Sequence, residues 1–318
     1  MLARKGSFVQ LTDLCLDKIS RLTANPDFAH FPLRCFQRGL QVLHTVGLFR
    51  LPRNPVCRSF DGNMVINLAP CDTLTKRVWF GGYFQYDEEW FLRDFLRSDM
   101  VVIDAGANVG YMTLIVARRV QPQGAVHSFE PVGSTFDLLS RNIQENGLEK
   151  IANPNKRALG DTTGDSVFFD RCERHSDLNR RSARDEVHRP GDGWQSTEEV
   201  LTITLDDYVR EKALPRVDLL KMDVEGSEML LVKGAGQVLS RFHPTLVCEF
   251  NNPALTRLGS SSGQLWSALT GFGYTFWRYN HRSRTLRAVS DQCLDSDDTF
   301  VGTTDVDGLA RHVGARIC

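Results

Sequence analysis

The sequence lacks several features that would assign the chain to a specialised class of protein. It contains no run of about 18 apolar residues, the length that a transmembrane helix needs. Its eight cysteines include no Cys-x-x-Cys pair, so neither a zinc site nor a disulfide framework is predicted. The 38 Lys and Arg residues nearly balance the 39 Asp and Glu residues, which leaves no charge excess for a nucleic acid or an anionic membrane. A nucleic-acid substrate is therefore disfavoured.

The first residues also lack the apolar core of a secretory signal peptide. Arg4 and Lys5 supply early positive charges, but Gln10, Thr12 and Asp13 interrupt the apolar residues that follow. With neither a signal nor a membrane span in view, the expected location is the cytoplasm, and the cysteines are expected to be reduced.

An alternation of strand and helix patterns organises the chain from residue 101 onwards. Apolar strand patterns are separated by helical patterns and occur at 101–105, 125–130, 217–222 and 245–250. Alternation of this kind predicts an α/β fold whose mostly parallel sheet is covered on both faces.

Two further regions are distinguished from this alternating core. Residues 1–80 are predicted to form an N-terminal extension with amphipathic helices over 8–22 and 33–43 and a short strand at 64–68. Residues 81–318 form the main domain, interrupted by a polar insertion at 170–199. That insertion carries six arginines and five acids between 171 and 193, and it is interpreted either as a solvated loop or as a lid over the site.

The most informative segment is 101–113, where an apolar strand runs into a turn of small residues and then into a helix. Gly106 and Gly110 let the backbone approach a ligand, and the free amides at the start of the helix attract an anionic group. The dinucleotide fingerprint is absent, because Asn108 stands at its second glycine and Tyr111 at its third. The segment predicts a nucleotide-like ligand without a pyrophosphate.

Carboxylates follow several of the predicted strands, where ligands bind in parallel sheets. Asp104 sits at the mouth of the glycine turn, and Glu130 ends the next strand, where it can accept hydrogen bonds from ribose hydroxyls. Asp223 and Glu225 follow a third strand that carries Lys221. The structural alternative for such acids is that they cap helices or lie at the surface.

A fourth strand ends at Glu249, with Asn251 just beyond it. These two residues are interpreted equally well as orienting a substrate hydroxyl or as terminating the strand. With Asp223 they offer the hard oxygen atoms that Mg²⁺ accepts. A divalent metal is thus compatible with the sequence, but none is expected, because the ligands would come from separate strand ends.

Taken in order, four motifs resemble the FkbM family of S-adenosylmethionine-dependent methyltransferases, over roughly residues 80 to 280. They are residues 101–113, Phe129-Glu130-Pro131, Thr204-Leu205-Asp206-Asp207-Tyr208-Val209 and residues 219–228. The resemblance implies a Rossmann-like class I methyltransferase with a seven-stranded, mostly parallel sheet whose last strand is antiparallel. It also implies methyl transfer, commonly to a hydroxyl oxygen.

The resemblance further implies a role for individual residues. The methionine end of the cofactor would be surrounded by Asp104, Gly106, Asn108 and Gly110. Glu130 would hold the ribose, and the segment that begins at Ala158 would pack beside the adenine. The catalytic groups facing the methyl group and the acceptor would be Asp223, Glu225 and Lys221.

The expected function is therefore O-methylation of a small-molecule acceptor, with three classes of acceptor expected: a sugar, a natural product or a lipid head group. Two other classes stay open. A nicotinamide-dependent oxidoreductase would use the same sheet, although Asn108 and Tyr111 disfavour it, and a non-catalytic binding protein would keep the fold as a scaffold. The oligomeric state is not predicted by any of these patterns.

Overall fold

A computed structural model describes residues 56–68, 73–81, 84–172, 180–182, 194–291 and 298–318 of the chain. The chain divides into two compact units, Met1–Phe84 and Gln85–Cys318. In the first unit, strands β1 (Val56–Phe60) and β2 (Met64–Asn67) form an antiparallel hairpin, followed by helix α1 (Thr73–Gly81). The predicted helices over 8–22 and 33–43 lie outside the described residues, so the N-terminal extension 1–80 stays a prediction.

The second unit alternates strands and helices as its sequence predicts. Its described strands are β3 (Val101–Ala105), β4 (Ala125–Phe129), β5 (Ala152–Asn155), β6 (Ala158–Leu159), β7 (Ser166–Cys172), β8 (Arg180–Arg181), β9 (Trp194–Ile203), β10 (Leu219–Met222), β11 (Thr245–Phe250), β12 (Thr275–Asn280), β13 (Thr285–Ala288), β14 (Asp298–Thr303) and β15 (Arg316–Ile317). Its described helices are α2 (Tyr86–Phe95), α3 (Tyr111–Val120), α4 (Gly133–Glu145), α5 (Leu205–Glu211), α6 (Glu228–Lys233), α7 (Gly236–Phe242), α8 (Asn252–Arg257), α9 (Ser262–Gly271) and α10 (Val306–Val313).

Nine of these strands form one sheet, in the order β15-β13-β12-β14-β11-β10-β3-β4-β5. Strands β5, β4, β3, β10 and β11 are parallel, and β14 runs antiparallel to both of its neighbours, β11 and β12. The predicted α/β class and the mostly parallel sheet are therefore confirmed, with the antiparallel strand inserted near one edge.

The sheet is larger than the predicted seven strands. After β12 the chain turns back through β13, and β15 then pairs with β13 in parallel. An edge strand leaves a row of backbone N–H and C=O groups unpaired; β13 pairs with that row on β12, and β15 pairs with part of the next row, on β13. The seven central strands, from β5 to β12, match the arrangement that the resemblance implies.

Burial explains why the central strands consist mainly of apolar residues. All five residues of β3 and all four of β10 are buried, because helices cover both faces of the sheet at this point. Helix α4 ends before Gly147, whose left-handed φ of 66° is typical of the residue that follows a helix. In the described part of the chain, no helix has the length and apolarity needed to cross a membrane.

The polar insertion lies within a second, four-stranded sheet ordered β6-β9-β7-β8. Strands β7 and β9 pair in antiparallel fashion and carry the chain into and out of the insertion. The predicted loop 170–199 is therefore partly strand: β7 extends to Cys172, and β9 begins at Trp194. Within this range, residues 173–179 and 183–193 lie outside the described part.

Candidate active site

The turn after β3 contacts the carboxyl ends of both strands that pair with β3, namely β4 and β10. Gly106 has a φ of 79°, and the N–H groups of Gly106 and Ala107 both donate to the carbonyl oxygen of Phe129, at 3.0 and 2.9 Å. On its other side, a Cβ atom at Gly106 would lie 1.7 Å from the carbonyl oxygen of Asp223. This position therefore needs glycine both for its backbone angle and for the close approach of β10.

The rest of the turn is equally tight. Asn108 has a left-handed φ of 51°, and Gly110 has a φ of 92° immediately before α3. A Cβ at Gly110 would lie 2.7 Å from the Leu139 side chain. Tyr111, which replaces the third glycine of the dinucleotide fingerprint, is buried, and its hydroxyl donates to Glu89. The tyrosine ring thus occupies space inside the protein.

Glu130 is fixed immediately after β4 by backbone donors. Its Oε2 accepts from the Asn108 N–H and its Oε1 from the Val132 N–H, both at 3.0 Å. Burial raises the pKa of Glu130 to about 8, and the two N–H groups oppose that rise. Since each carboxylate oxygen has two lone pairs, both retain capacity for hydroxyl donors of a ligand. The Glu130 carboxyl is thereby linked directly to the glycine turn.

Asp104 and Lys221 lie side by side on β3 and β10. Asp104 Oδ2 accepts from the Thr113 hydroxyl at 2.6 Å, and its Oδ1 lies 3.9 Å from the Lys221 Nζ. Lys221 donates to Asp223 Oδ2 at 2.9 Å and is itself buried. Burial alone would lower the pKa of Lys221, but the carboxyl groups of Asp223 and Asp104, together with Glu88, outweigh it and raise the pKa. Lys221 is therefore a fixed ammonium group.

The corner after β10 is shaped by its backbone. Glu225 and Gly226 have left-handed φ values of 52° and 98°, and Glu228 Oε1 accepts from the Val224 N–H at 2.9 Å. Glu228, rather than Glu225, is thus the acid that caps this corner. Carboxylate oxygens of Asp223, Glu225 and Glu249 all lie within 4.8 Å of one another, so the corner brings these predicted residues together.

Arg257 connects this corner to the insertion. Its guanidinium donates to the carbonyl oxygen of Arg181 on β8 at 2.5 Å and to that of Glu225 at 3.0 Å. The described part of the insertion is therefore attached to the loop that carries Glu225.

Ala158 lies apart from the other predicted site residues. It is on β6, paired with Thr202, and its side chain packs in a small apolar cluster that includes Val132. Val132 is also the residue whose N–H binds Glu130, so this cluster adjoins the predicted ribose carboxyl. An adenine contact at Ala158 stays a prediction.

The sequence interpretation missed one residue, Glu88 on α2. Its side chain is buried, and within the described residues neither of its carboxyl oxygens has a hydrogen-bond partner. Burial raises its pKa to about 8, Lys221 opposes the rise, and Asp223 and Asp104 add to it. A signal was present: Phe91, Leu92 and Phe95 follow Glu88 at helical spacing, which places this acid on the buried face of the helix.

Glu88 also lines a cavity of about 450 Å³ at the carboxyl edge of the sheet. The start of α2 forms one wall, and residues of β12, β13 and β14 form the others. More than half of the lining side chains are polar, among them Arg278 and Asn280, and Trp277 adds an aromatic surface. A pocket of this size accommodates a small molecule next to Glu88.

The chain matches a known protein family and is similar to two named methyltransferases. The family description "Methyltransferase FkbM domain" matches residues 104–276. Methyltransferase 1 of Beauveria bassiana (strain ARSEF 2860) is 32% identical over 148 residues, covering 43% of this chain and 59% of that protein. The 31-O-demethyl-FK506 methyltransferase FkbM of Streptomyces tacrolimicus is 25% identical over 201 residues, covering 57% and 74% respectively.

A solved structure is similar at lower identity. Methyltransferase FkbM from Methylobacillus flagellatus KT is 16% identical to the chain, with a TM-score of 0.41, covering 72% of this chain and 52% of that one. The chain matches about three fifths of the length of its Beauveria relative.

Proposed function

Because the chain belongs to the FkbM methyltransferase domain family, we propose that it is an S-adenosylmethionine-dependent methyltransferase acting on a hydroxyl of a small molecule. The observation that carries the proposal is the pair of carboxyl groups on either side of the glycine turn. Asp104 lies before the turn, and Glu130 is bonded to the turn through the Asn108 N–H. One carboxyl suits the amino-acid end of the cofactor and the other suits its ribose.

The residues fit this cofactor. Asp104 Oδ1 is buried and has no hydrogen-bond partner among the described residues, so it is available to a donor on a ligand. Tyr111 is packed inside the protein where a dinucleotide site would need a small residue, which disfavours a nicotinamide cofactor. No metal forms part of the proposal.

Bound S-adenosylmethionine would supply a methyl group already activated by a positively charged sulfur. The protein then has to align the acceptor and remove its proton. Asp223 is proposed as the base, because it is partly exposed at the strand end and held by Lys221. Lys221, a fixed ammonium, stabilises negative charge that develops on the acceptor oxygen, and Glu225 borders the same space.

The acceptor is proposed to enter through the 450 Å³ cavity beside Glu88. The name of the Streptomyces relative specifies an oxygen acceptor, which supports a hydroxyl here. A sugar, a natural product or a lipid head group would each present such a hydroxyl to Asp223.

Ligand-dependent thermal stability tests the cofactor. S-adenosylhomocysteine at about 100 times its Kd should stabilise the native state by about 2.7 kcal/mol, which raises the melting temperature, whereas NAD⁺ at the same concentration should leave it unchanged. Differential scanning fluorimetry measures both. Stabilisation by NAD⁺ alone would favour the oxidoreductase and refute the proposal.

Replacing Asp223 with Asn tests the base. We expect turnover to fall about 100-fold or more, because a general base contributes that much, while the affinity for S-adenosylhomocysteine changes little. Calorimetry measures the affinity, and mass spectrometry measures methylation of a panel of sugars, polyketides and lipid head groups. Asp99→Asn is the matched control: it lies before β3, at the opposite edge of the sheet, in an exposed ion pair with Arg216. Undiminished turnover by Asp223→Asn would exclude Asp223 as the base.

A further inference from the structure

Glu88 is a buried acid for which the described protein supplies no hydrogen-bond donor. It is more than nine-tenths buried, and both of its carboxyl oxygens lack a partner in the described residues. A buried polar group in this state is costly unless a ligand or a water molecule satisfies it. Glu88 also lines the cavity bordered by the start of α2, so its side chain lies next to space that a small molecule can occupy.

The surroundings of Glu88 carry an excess of negative charge. It interacts electrostatically with Lys221, Asp223 and Asp104, and these four residues are named the acid–lysine cluster. The three carboxyl groups of Glu88, Asp104 and Asp223 surround one ammonium group, that of Lys221. Lys221 donates its hydrogen bond to Asp223, at 2.9 Å. Asp104 Oδ1, at 3.9 Å from Lys221 Nζ, is beyond hydrogen-bond distance and also lacks a partner among the described residues.

The unsatisfied atoms define the ligand group that the cluster would accept. Three buried acceptor atoms, one on Asp104 and two on Glu88, need N–H or O–H donors. The excess of carboxyl groups favours a donor with a positive charge. A sulfonium has the charge but no N–H, whereas a primary ammonium has the charge and three N–H donors.

We propose that Glu88 and Asp104 together bind the α-ammonium group of the methionine part of the cofactor, an assignment that rests on the proposed function. Asp104 reaches this group from the end of β3, and Glu88 reaches it from α2. Helix α2 is thus part of the cofactor site, although it precedes the residues that the family description matches.

Two ligands that differ in the amino-acid part test the assignment. S-adenosylhomocysteine carries the ammonium, and 5′-methylthioadenosine keeps the adenosine and the thioether but lacks the amino acid. In Glu88→Gln the affinity for S-adenosylhomocysteine should fall about tenfold to hundredfold, because a hydrogen bond to a charged group is lost, while the affinity for 5′-methylthioadenosine should not change. Isothermal titration calorimetry of the full chain measures both.

Glu149→Gln is the matched control, because Glu149 is exposed and precedes β5, at the amino edge of the sheet. It should bind both ligands as the wild type does. Unchanged S-adenosylhomocysteine affinity in Glu88→Gln would overturn the assignment and leave the proposed function standing, and so would an equal loss for both ligands. A wild-type protein that binds neither ligand would refute the proposed function, and the assignment with it.

A second measurement uses the wild-type chain alone and so covers the case in which Glu88→Gln does not fold. Because burial raises the pKa of Glu88, the carboxyl is largely protonated at pH 7 and should ionise when it pairs with an ammonium. Calorimetry in buffers of different ionisation enthalpy should therefore detect more proton release on binding S-adenosylhomocysteine than on binding 5′-methylthioadenosine, because any release at Glu130 beside the ribose is common to both ligands. Equal proton release for the two ligands would contradict the assignment.

Discussion

Gly106→Ala should destabilise the protein by about 3 kcal/mol or more and abolish binding of S-adenosylhomocysteine. The new Cβ would stand 1.7 Å from the Asp223 carbonyl oxygen and 2.8 Å from its carbonyl carbon, and backbone atoms cannot rotate away as a side chain does. Relief requires β3 and β10 to separate after Ala105, which would break the hydrogen bond from the Asp223 N–H to the Ala105 carbonyl oxygen. Urea denaturation and calorimetry measure the two effects.

Gly147→Ala separates this clash from the general penalty of a left-handed alanine. Gly147 has a φ of 66°, and no atom lies within 4 Å of the position of its Cβ. We expect a loss of only about 1 to 2 kcal/mol and normal ligand affinity. Equal destabilisation by the two substitutions would mean that the approach of Asp223 to Gly106 is not as close as described.

Glu88→Gln should make the ligand-free protein more stable than the wild type at alkaline pH, by roughly 3 to 5 kcal/mol at pH 9. In the unfolded chain Glu88 ionises near its ordinary pKa of 4.5, whereas in the folded chain its pKa is about 8. Below pH 4.5 both states are protonated and the residue contributes no difference. Between pH 4.5 and 8 only the unfolded state ionises, so the stability of the wild type falls as pH rises.

Denaturation curves from pH 5 to pH 9 measure this effect as the difference between Glu88→Gln and the wild type. The difference should widen by about 1.4 kcal/mol per pH unit up to pH 8 and then level off. The buried carboxyls that remain, such as Glu130, are common to both proteins and cancel in the difference. Glu149→Gln should give a constant difference, and a constant difference for Glu88→Gln would mean that its carboxyl ionises normally in the folded state.

Much of the sheet could be predicted because its strands are buried on both faces. A fully buried strand such as β3 or β10 is apolar apart from one charged residue, Asp104 in β3 and Lys221 in β10, and a glycine or an acid follows its carboxyl end. The predicted strands at 101–105, 125–130, 217–222 and 245–250 therefore match the observed bounds within two residues. The strand pattern also drew attention to Asp104, near the end of β3, and to Glu130, immediately after β4.

The remaining features depend on contacts that are distant in sequence. Glu88 lies in a helix that precedes the sheet, and only tertiary packing brings it to Lys221. Strands β13 and β15 are short, with two of four residues exposed in β13 and both residues exposed in β15, so they lack a continuous apolar pattern. Glu228 was not predicted to cap the corner, since Glu225 precedes it in the same acidic segment and its left-handed backbone could not be inferred from the sequence.

The close approach of Gly106 to Asp223 has an evolutionary consequence. The contact is made by the backbone of residue 223, so replacing the Asp223 side chain does not move the end of β10 relative to the glycine turn. The cavity beside Glu88 is instead built largely by side chains of β12, β13 and β14, each of which can vary separately. Under the proposed function, substrate range can therefore diversify by point substitution at these three strands without displacing the glycine turn.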